Sequence, residues 1–203
     1  SLGIYGILKA IKKKMRICLA TKEILVSFGE IVMKQVKKHK VELIPVDSEH
    51  SAIYQCLEGR NMNEVLNIIL TASGGPFFKK MIKNVKKSDV LKHPIWKMGK
   101  KITVDSSTMM NKGLEVIEAH HLFGLPPERL KIVIHPEAIC HSMVQLLDGS
   151  LICHLSSPDM KLPIQYALTA PDRLPSQINY LDINKVGPLH FFSPDFKKFL
   201  CLT

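Results

Sequence analysis

No C-x-x-C pair, no H-E-x-x-H and no G-x-S-x-G occurs anywhere in the 203 residues. The first two absences remove the common zinc spacings, and the third removes the strand–serine–helix elbow of acyl-transfer enzymes. The five cysteines (Cys18, Cys56, Cys140, Cys153, Cys201) are odd in number and scattered, which speaks against a disulfide framework and for reduced thiols in a cytosol-like compartment. Aromatics make up only 6% of the chain. They do not interleave with the lysines, so the formal charge of +10 lacks the stacking partners of a nucleic-acid surface. That charge reads instead as a Lys-rich surface that attracts small phosphorylated anions, with a non-catalytic polyanion-binding module as the rival. No apolar run is long enough to span a bilayer. The opening "SLGIYGILKAIKKKMRICLA" is interrupted by Lys9, Lys12, Lys13, Lys14 and Arg16, which makes it a poor signal peptide.

What the chain does have is a 46% hydrophobic content in alternating strand and helix patterns. Ile4, Ile7, Leu8 and Ile11 recur at helical spacing, "RICLA" reads as a short buried strand, "EILVSFGEIVMKQVKKH" as a helix and "VELIPV" as a second strand. A β-α-β rhythm implies parallel strands, with ligands gathered at their carboxyl ends. "NIILTASGGPF" is a strand entering a Gly-Gly-Pro turn, and "LKHPIWKMGKK" is a loop. In "ITVDSSTMMNKGLEVIEAHHLFG" the spacing predicts a strand, a polar turn and a helix closed by Gly124. "KIVIHP" is another strand, and Asp148-Gly149 marks a hairpin between two more. After Pro158 the recurring prolines predict a connector.

The candidate chemistry centres on "PVDSEH". Asp47 and Glu49, two apart in a segment read as extended, point the same way and offer oxygen ligands to a hard cation such as Mg²⁺ or Mn²⁺. Glu115 is the best third carboxylate, sharing a helix face with Asn111 and Lys112; a surface Lys112–Glu115 salt bridge is the plain alternative. Ser106, Ser107 and Thr108, read as opening that helix, suit a phosphate, with Asn111 and Lys112 completing the cradle and Ser73 adding a hydroxyl. His50, His93 and His141 fall near these loops. Trp96, the sole tryptophan, is either a lid over a ligand or the centre of a small satellite core.

Five stretches carry a resemblance: "PVDSEHSAIYQCL", "TASGGPF", "HPIWKMGKKITVDSSTMMNKGLEVIEAHHLF", "IHPEAICHSM" and "SSPDMKLPIQYAL". Together they resemble the 1-deoxy-D-xylulose 5-phosphate reductoisomerase family over nearly the whole chain. The resemblance implies NADPH- and divalent-metal-dependent rearrangement and reduction of that sugar phosphate to 2-C-methyl-D-erythritol 4-phosphate, in non-mevalonate isoprenoid biosynthesis. It implies Asp47, Glu49 and Glu115 as metal ligands, and Lys22, Ser48, Glu49, Ser73, His93, Ser106, Asn111, Lys112 and Glu115 as substrate contacts. Glu49, Glu115, Lys112, His93 and His141 would be the catalytic set, with Pro158 and Met160 lining the same pocket. Thr21, Glu23 and Gly99 would touch NADPH, although Thr21 stands where the family usually has Asn. Trp96 and Met98 would sit on a mobile active-site lid.

The implied fold is α/β: the end of a parallel Rossmann-like cofactor domain (1–46), an α/β catalytic domain with a mixed sheet (47–168) and a linker (169–203). The family begins with a Gly-rich dinucleotide-binding unit, whereas the only early glycines here are Gly3 and Gly6. The chain therefore reads as a central fragment of a longer enzyme, inactive alone, whose full-length form would be a homodimer in a bacterial cytoplasm or a plastid, acting on neither nucleic acid nor membrane. Within enzymes, a metal-dependent sugar-phosphate aldolase is the rival.

Overall fold

The computed structural model describes residues 3–80, 82, 84–92, 95, 96 and 99–203. Two sheets organise it. The first is the pair β1 (Ile17–Leu19) and β2 (Leu43–Pro45), parallel, with Ile17 opposite Leu43. Helix α2 (Glu23–His39) makes the crossover, and α1 (Gly3–Lys12) packs on it. Ile4, Ile11, Leu25 and Val32 close this first core, leaving the lysines of both helices outside. Helical spacing of the apolar residues is what permits one buried face on each. The crossover helix ends where Lys40 turns left-handed (φ 53°) and returns its N–H to Lys37 and Val36.

The second sheet is mixed, in the order β4-β3-β5-β6. Strand β3 (Val65–Ala72) runs parallel to β4 (Leu130–Ile134) and antiparallel to β5 (Cys140–Leu146), which pairs with β6 (Leu151–Leu155) through the Asp148-Gly149 hairpin. Helices α3 (Ser48–Leu57) and α6 (Met110–Phe123) cover it, and Ile53, Ile68, Leu70, Ala119 and Val144 form the second core. The α/β architecture with a parallel pair followed by a mixed sheet is as expected. The carboxyl ends of β1, β2, β3 and β4 deliver Lys22, Asp47, Ser73 and His135, and all four line one cavity.

Four expectations require correction. Asp47 and Glu49 do not lie in an extended segment: Asp47 holds the N-cap position and Glu49 the first turn of α3. Asp, Ser and Glu are residues that start helices, and Pro45 ends the strand just before them. "ITV" is not a strand; it belongs to α5 (Lys100–Ser107), because a short β-branched run looks alike in a strand and in a half-buried helix. Ser106 and Ser107 therefore close α5 instead of opening α6. The Ser107 and Thr108 hydroxyls donate back to the Val104 carbonyl (2.7 and 3.2 Å), and Met109, left-handed at φ 62°, links to α6. Finally, the segment after Pro158 is not all connector. It forms α7 (Lys161–Thr169), with Pro163 buried in the first turn, where a missing N–H breaks no helical bond.

Helix α7 packs Tyr166 and Ala167 against Ile44 and Val46 of the first sheet's second strand and its exit. Arg16 Nη1 donates to the Ala170 carbonyl at 2.7 Å, and the Cys18 thiol to that of Ala167 at 3.0 Å. The five cysteines are free thiols. No helix among the described residues is long and apolar enough to cross a membrane.

Candidate active site

Lys22, at the N-cap position of α2, is 8% exposed. A cation there opposes the helix dipole and a buried ammonium is costly, so something nearby must offset both. Asp47 does so, with its Oδ2 at 2.5 Å from Lys22 Nζ, and Glu115 Oε1 lies 3.1 Å away on the other side. Asp47 thus spends its carboxylate on Lys22 and caps nothing. Lys112 bridges the other pair of carboxylates, at 2.8 Å to Glu49 Oε1 and 2.5 Å to Glu115 Oε2. Asn111 donates to Glu115 Oε1 and accepts from Lys22 (2.8 Å), and the Ser48 hydroxyl donates to Glu49 (2.6 Å). Lys112 and Glu115 are 3% and 0% exposed, which overturns the reading of a surface salt bridge.

Three carboxylates against two ammoniums leave one negative charge in excess. The titration behaviour reflects it. Burial, with the repulsion of Glu49 added, pushes Glu115 up to about 7 in spite of Lys112 and Lys22. Burial also works against ionised Glu49, yet Lys112 and hydrogen bonds from its neighbours outweigh it and hold the carboxyl far below its usual range. Burial disfavours the Lys22 and Lys112 ammoniums too; Glu115, joined by Asp47 for the first and Glu49 for the second, reverses that and raises both. One oxygen from each of Asp47, Glu49 and Glu115 falls within 4.8 Å of the others. An all-oxygen set with surplus negative charge suits a hard divalent cation.

Lys22, Asp47, Glu49 and Lys112 line a cavity of about 380 Å³, with Glu115 buried behind them and not part of its wall. Ser48, Ser73, Ser106, Asn111 and His141 also line it, as does Trp96. The Gly74-Gly75 turn brings Ser73 towards Ser106. Gly75 has φ +63°, and a Cβ there would meet the Ser106 carbonyl oxygen at 2.7 Å, so only glycine lets the turn lie against the end of α5. His141 is buried, which lowers it and keeps the ring neutral, with Nε2 facing the Ser156 carbonyl at 3.3 Å. Met160 lines the cavity, whereas Pro158 is absent from its wall. Glu23 pairs at 2.9 Å with the exposed Lys101, Gly99 precedes α5, and Thr21 is exposed; none of the three lines the cavity. His93 and Met98 lie outside the described residues.

Sequence reasoning overlooked part of the wall and part of its backing. His135, 0% exposed, lines the cavity with both ring nitrogens engaged: Nδ1 donates to the His190 carbonyl (2.9 Å) and Nε2 accepts from the Ile139 amide (3.2 Å). Its strand-end position was the signal available. Glu118, one turn beyond Glu115, is 1% exposed and is pushed by burial up to about 7, with His50 acting the other way. Nothing in a lone Glu on a helix announces that.

Two family models match the chain: the 1-deoxy-D-xylulose 5-phosphate reductoisomerase C-terminal domain over residues 43–123, and the DXP reductoisomerase C-terminal domain over residues 155–203. The chain belongs to the 1-deoxy-D-xylulose 5-phosphate reductoisomerase family. Among curated reductoisomerases it is 56% identical to that of Caldanaerobacter subterraneus subsp. tengcongensis, over 99% of this chain and 54% of the relative. It is 52% identical to that of Endomicrobium trichonymphae, over 100% of this chain and 53% of the relative. A solved DOX-P reductoisomerase in complex with NADPH, fosmidomycin and magnesium superimposes with a TM-score of 0.92 at 44% identity, covering 98% of this chain and 52% of that one. The Zymomonas mobilis reductoisomerase in complex with NADPH gives 0.91 at 43% identity, again over 98% of this chain and 52% of that one. The chain thus spans about half the length of the reductoisomerases it matches.

Proposed function

We propose that this chain carries the metal and sugar-phosphate part of a reductoisomerase that rearranges and reduces 1-deoxy-D-xylulose 5-phosphate to 2-C-methyl-D-erythritol 4-phosphate with NADPH. The observation that carries the reading is the convergence of Asp47, Glu49 and Glu115 with Lys22 and Lys112, all but the buried Glu115 lining the cavity. The donor set fits Mg²⁺ or Mn²⁺, held by Asp47, Glu49 and Glu115. Such an ion supplies Lewis-acid polarisation and a template for the ketose carbonyl and hydroxyl oxygens, which suits breaking and remaking a carbon–carbon bond.

The protein's own groups do the rest. Ser73, Ser106, Asn111 and Lys112 hold the phosphate, so that binding energy at the remote group positions the reacting carbons. Lys112 spends two of its three hydrogens on Glu49 and Glu115, and the third can go to a phosphate. Lys22 neutralises Asp47 and Glu115 and spends its third hydrogen on Asn111, so it reaches a substrate oxygen only by giving one of these up. Ser48 and His141 line the same cavity, with His93 assigned beside them from the family resemblance. His141, being neutral, can take or give a hydrogen bond without bringing a charge.

Trp96, in the cavity wall, is assigned to a lid that excludes water from a reactive aldehyde, with Met98 joined to it from the family resemblance alone. NADPH, the hydride donor to that aldehyde, is assigned to the rim at Thr21, Glu23 and Gly99; the remainder of its pocket falls to the part of the family's length that this chain does not span. In this reading residues 1–46 end the cofactor domain, 47–168 are catalytic and 169–203 lead onward. The protein works as a homodimer in a bacterial cytoplasm or a plastid, without nucleic-acid or membrane partners. The open edge of β6, with Leu151 half-exposed, supports pairing with a second copy.

The deciding experiment follows NADPH absorbance with substrate and Mn²⁺. The full-length protein consumes NADPH and the 203-residue chain alone does not. A metal-independent full-length enzyme sinks the reading of the carboxylates; turnover by the short chain at the full-length rate sinks the assignment of the cofactor pocket.

A further inference from the structure

We infer that Glu118 is a positioning residue for the cation-holding carboxylates: through His50 it fixes the backbone of Glu115 against the helix that carries Glu49. The inference rests on the metal reading above.

His50 follows Glu49 on α3 and is 0% exposed. Its Nε2 lies 3.0 Å from the backbone carbonyl oxygen of Glu115. A carbonyl can only accept, so Nε2 carries the hydrogen. Nδ1 is then turned towards Glu118 Oε2, at 3.5 Å. Neither Nδ1 nor Oε2 has a hydrogen-bond partner among the described residues, and both are buried. The Phe123 ring lies parallel to the imidazole with centroids 6.3 Å apart. One hydrogen shared between Nδ1 and Oε2, whichever atom carries it, would complete a chain: Glu118 of α6 faces His50 of α3 at 3.5 Å, and His50 holds the backbone of α6 one turn back, at Glu115. One imidazole thereby sets the separation of the helices that bring Glu49 and Glu115 together.

A stability role alone is a poor account of this pair. Buried polar atoms left unmatched are costly, and apolar side chains would fill the same space without that cost. A small divalent ion such as Mg²⁺ demands near-ideal geometry of its oxygens, so a helix displacement too small to unfold anything still reaches the ligand set. A carboxylate orienting a histidine whose second nitrogen acts on the metal site is a common arrangement around bound ions, and its loss costs about 10–100-fold in affinity or activity. Here the histidine acts on a ligand's backbone instead of on the ion.

Asp47 gives the pair a second possible role. Its carboxylate lies within 4.8 Å of the ligand atoms of both His50 and Glu118, so these three residues could hold a second ion. The experiment separates the two cases. It uses the full-length protein and Mn²⁺ alone, titrated by electron paramagnetic resonance, with Glu118→Gln, Glu118→Leu and His50→Gln.

Wild type binds one Mn²⁺ per chain. Glu118→Leu weakens it about 10–100-fold while its melting temperature stays level or rises. Glu118→Gln, whose amide can donate to Nδ1, recovers most of the loss. In turnover, the Mn²⁺ concentration for half-saturation rises by a larger factor in Glu118→Leu than kcat falls. Should the Leu variant not fold, Glu118→Ala takes its place.

Wild-type Mn²⁺ affinity in the Leu or Ala variant overturns the inference, as does a loss in Gln equal to that in Leu. A second Mn²⁺ per chain that disappears in His50→Gln overturns it by making the pair ligands. Absence of Mn²⁺ binding in the wild type overturns the metal reading together with it.

Discussion

Glu115→Gln changes charge with almost no change in volume, and the structure predicts opposite effects with and without metal. In the metal-free protein the swap takes the cluster from three carboxylates and two lysines to a balanced two and two. The cost removed can be worked from the titration of Glu115. Its folded value, about 7, lies above the ordinary 4.5. Between those values the folded chain holds a proton that the unfolded chain has lost, so wild-type stability falls as pH rises from 4.5 to 7 and falls no further above 7. The interval corresponds to about 3 kcal/mol. Glu49 is shifted the other way, so its stabilising contribution is complete above its ordinary carboxylate value and leaves that window untouched.

Glu115→Gln should therefore melt higher than wild type at pH 8 with chelator present, by up to about 3 kcal/mol, and no higher at pH 4. With Mn²⁺ the order reverses. An ion that binds only the folded state adds RT ln(1 + [L]/Kd), and losing one of three carboxylates raises Kd. The assay is thermal unfolding of the full-length protein at the two pH values, with chelator and with excess Mn²⁺. A variant less stable than wild type at pH 8 without metal would refute the electrostatic reasoning. An equal Mn²⁺-induced rise in both proteins would remove Glu115 from the ligand set.

Two further expectations follow from single side chains. Gly75→Ala places a methyl 2.7 Å from the Ser106 carbonyl oxygen at φ +63°. It should cost about 2 kcal/mol and raise KM for the phosphorylated substrate as Ser106 is displaced from its place in the cavity wall, whereas an unchanged melting temperature and KM would show the turn to be slack. His154 is held down to about 4, chiefly by burial and then by His141. The unfolded chain gains a proton first as pH falls from 6.5 towards 4, so stability of about 3 kcal/mol is lost over that window, and His154→Gln should flatten this limb of the pH–melting curve.

Much of this molecule was legible in order. The helix 23–39, the strand before it and the Asp148-Gly149 hairpin follow from periodicity and turn chemistry alone. Asp47, Glu49 and Glu115 were legible as a set because carboxylates beside apolar elements are costly unless something holds them. What failed was local geometry around short segments. "ITV" carries no information on period, so α5 was missed, and with it the end of the helix at which Ser106 sits. The dyad at 47 and 49 met the third carboxylate from a helix turn, not from a strand. The pairing of each lysine with two carboxylates was beyond reach, because it depends on α2, α3 and α6 meeting at one point. The pairing of His50 with Glu118 escaped for the same reason: burial comes from packing, and neither residue type signals it.

Helix α7 has a mechanical consequence. Its Tyr166 and Ala167 rest on the exit of β2, and Arg16 and Cys18 from beside and within β1 grip the carbonyls at its far end. On another side it meets α3, which lies on the four-stranded sheet, while Met160 and Ile164 near its start form part of the cavity wall. It therefore acts as a strut between the two sheets. Any change in the angle between them travels down this short helix and reaches the cavity as a displacement of two apolar side chains, so that a bound molecule touching Met160 and Ile164 senses the disposition of the parallel pair without touching it.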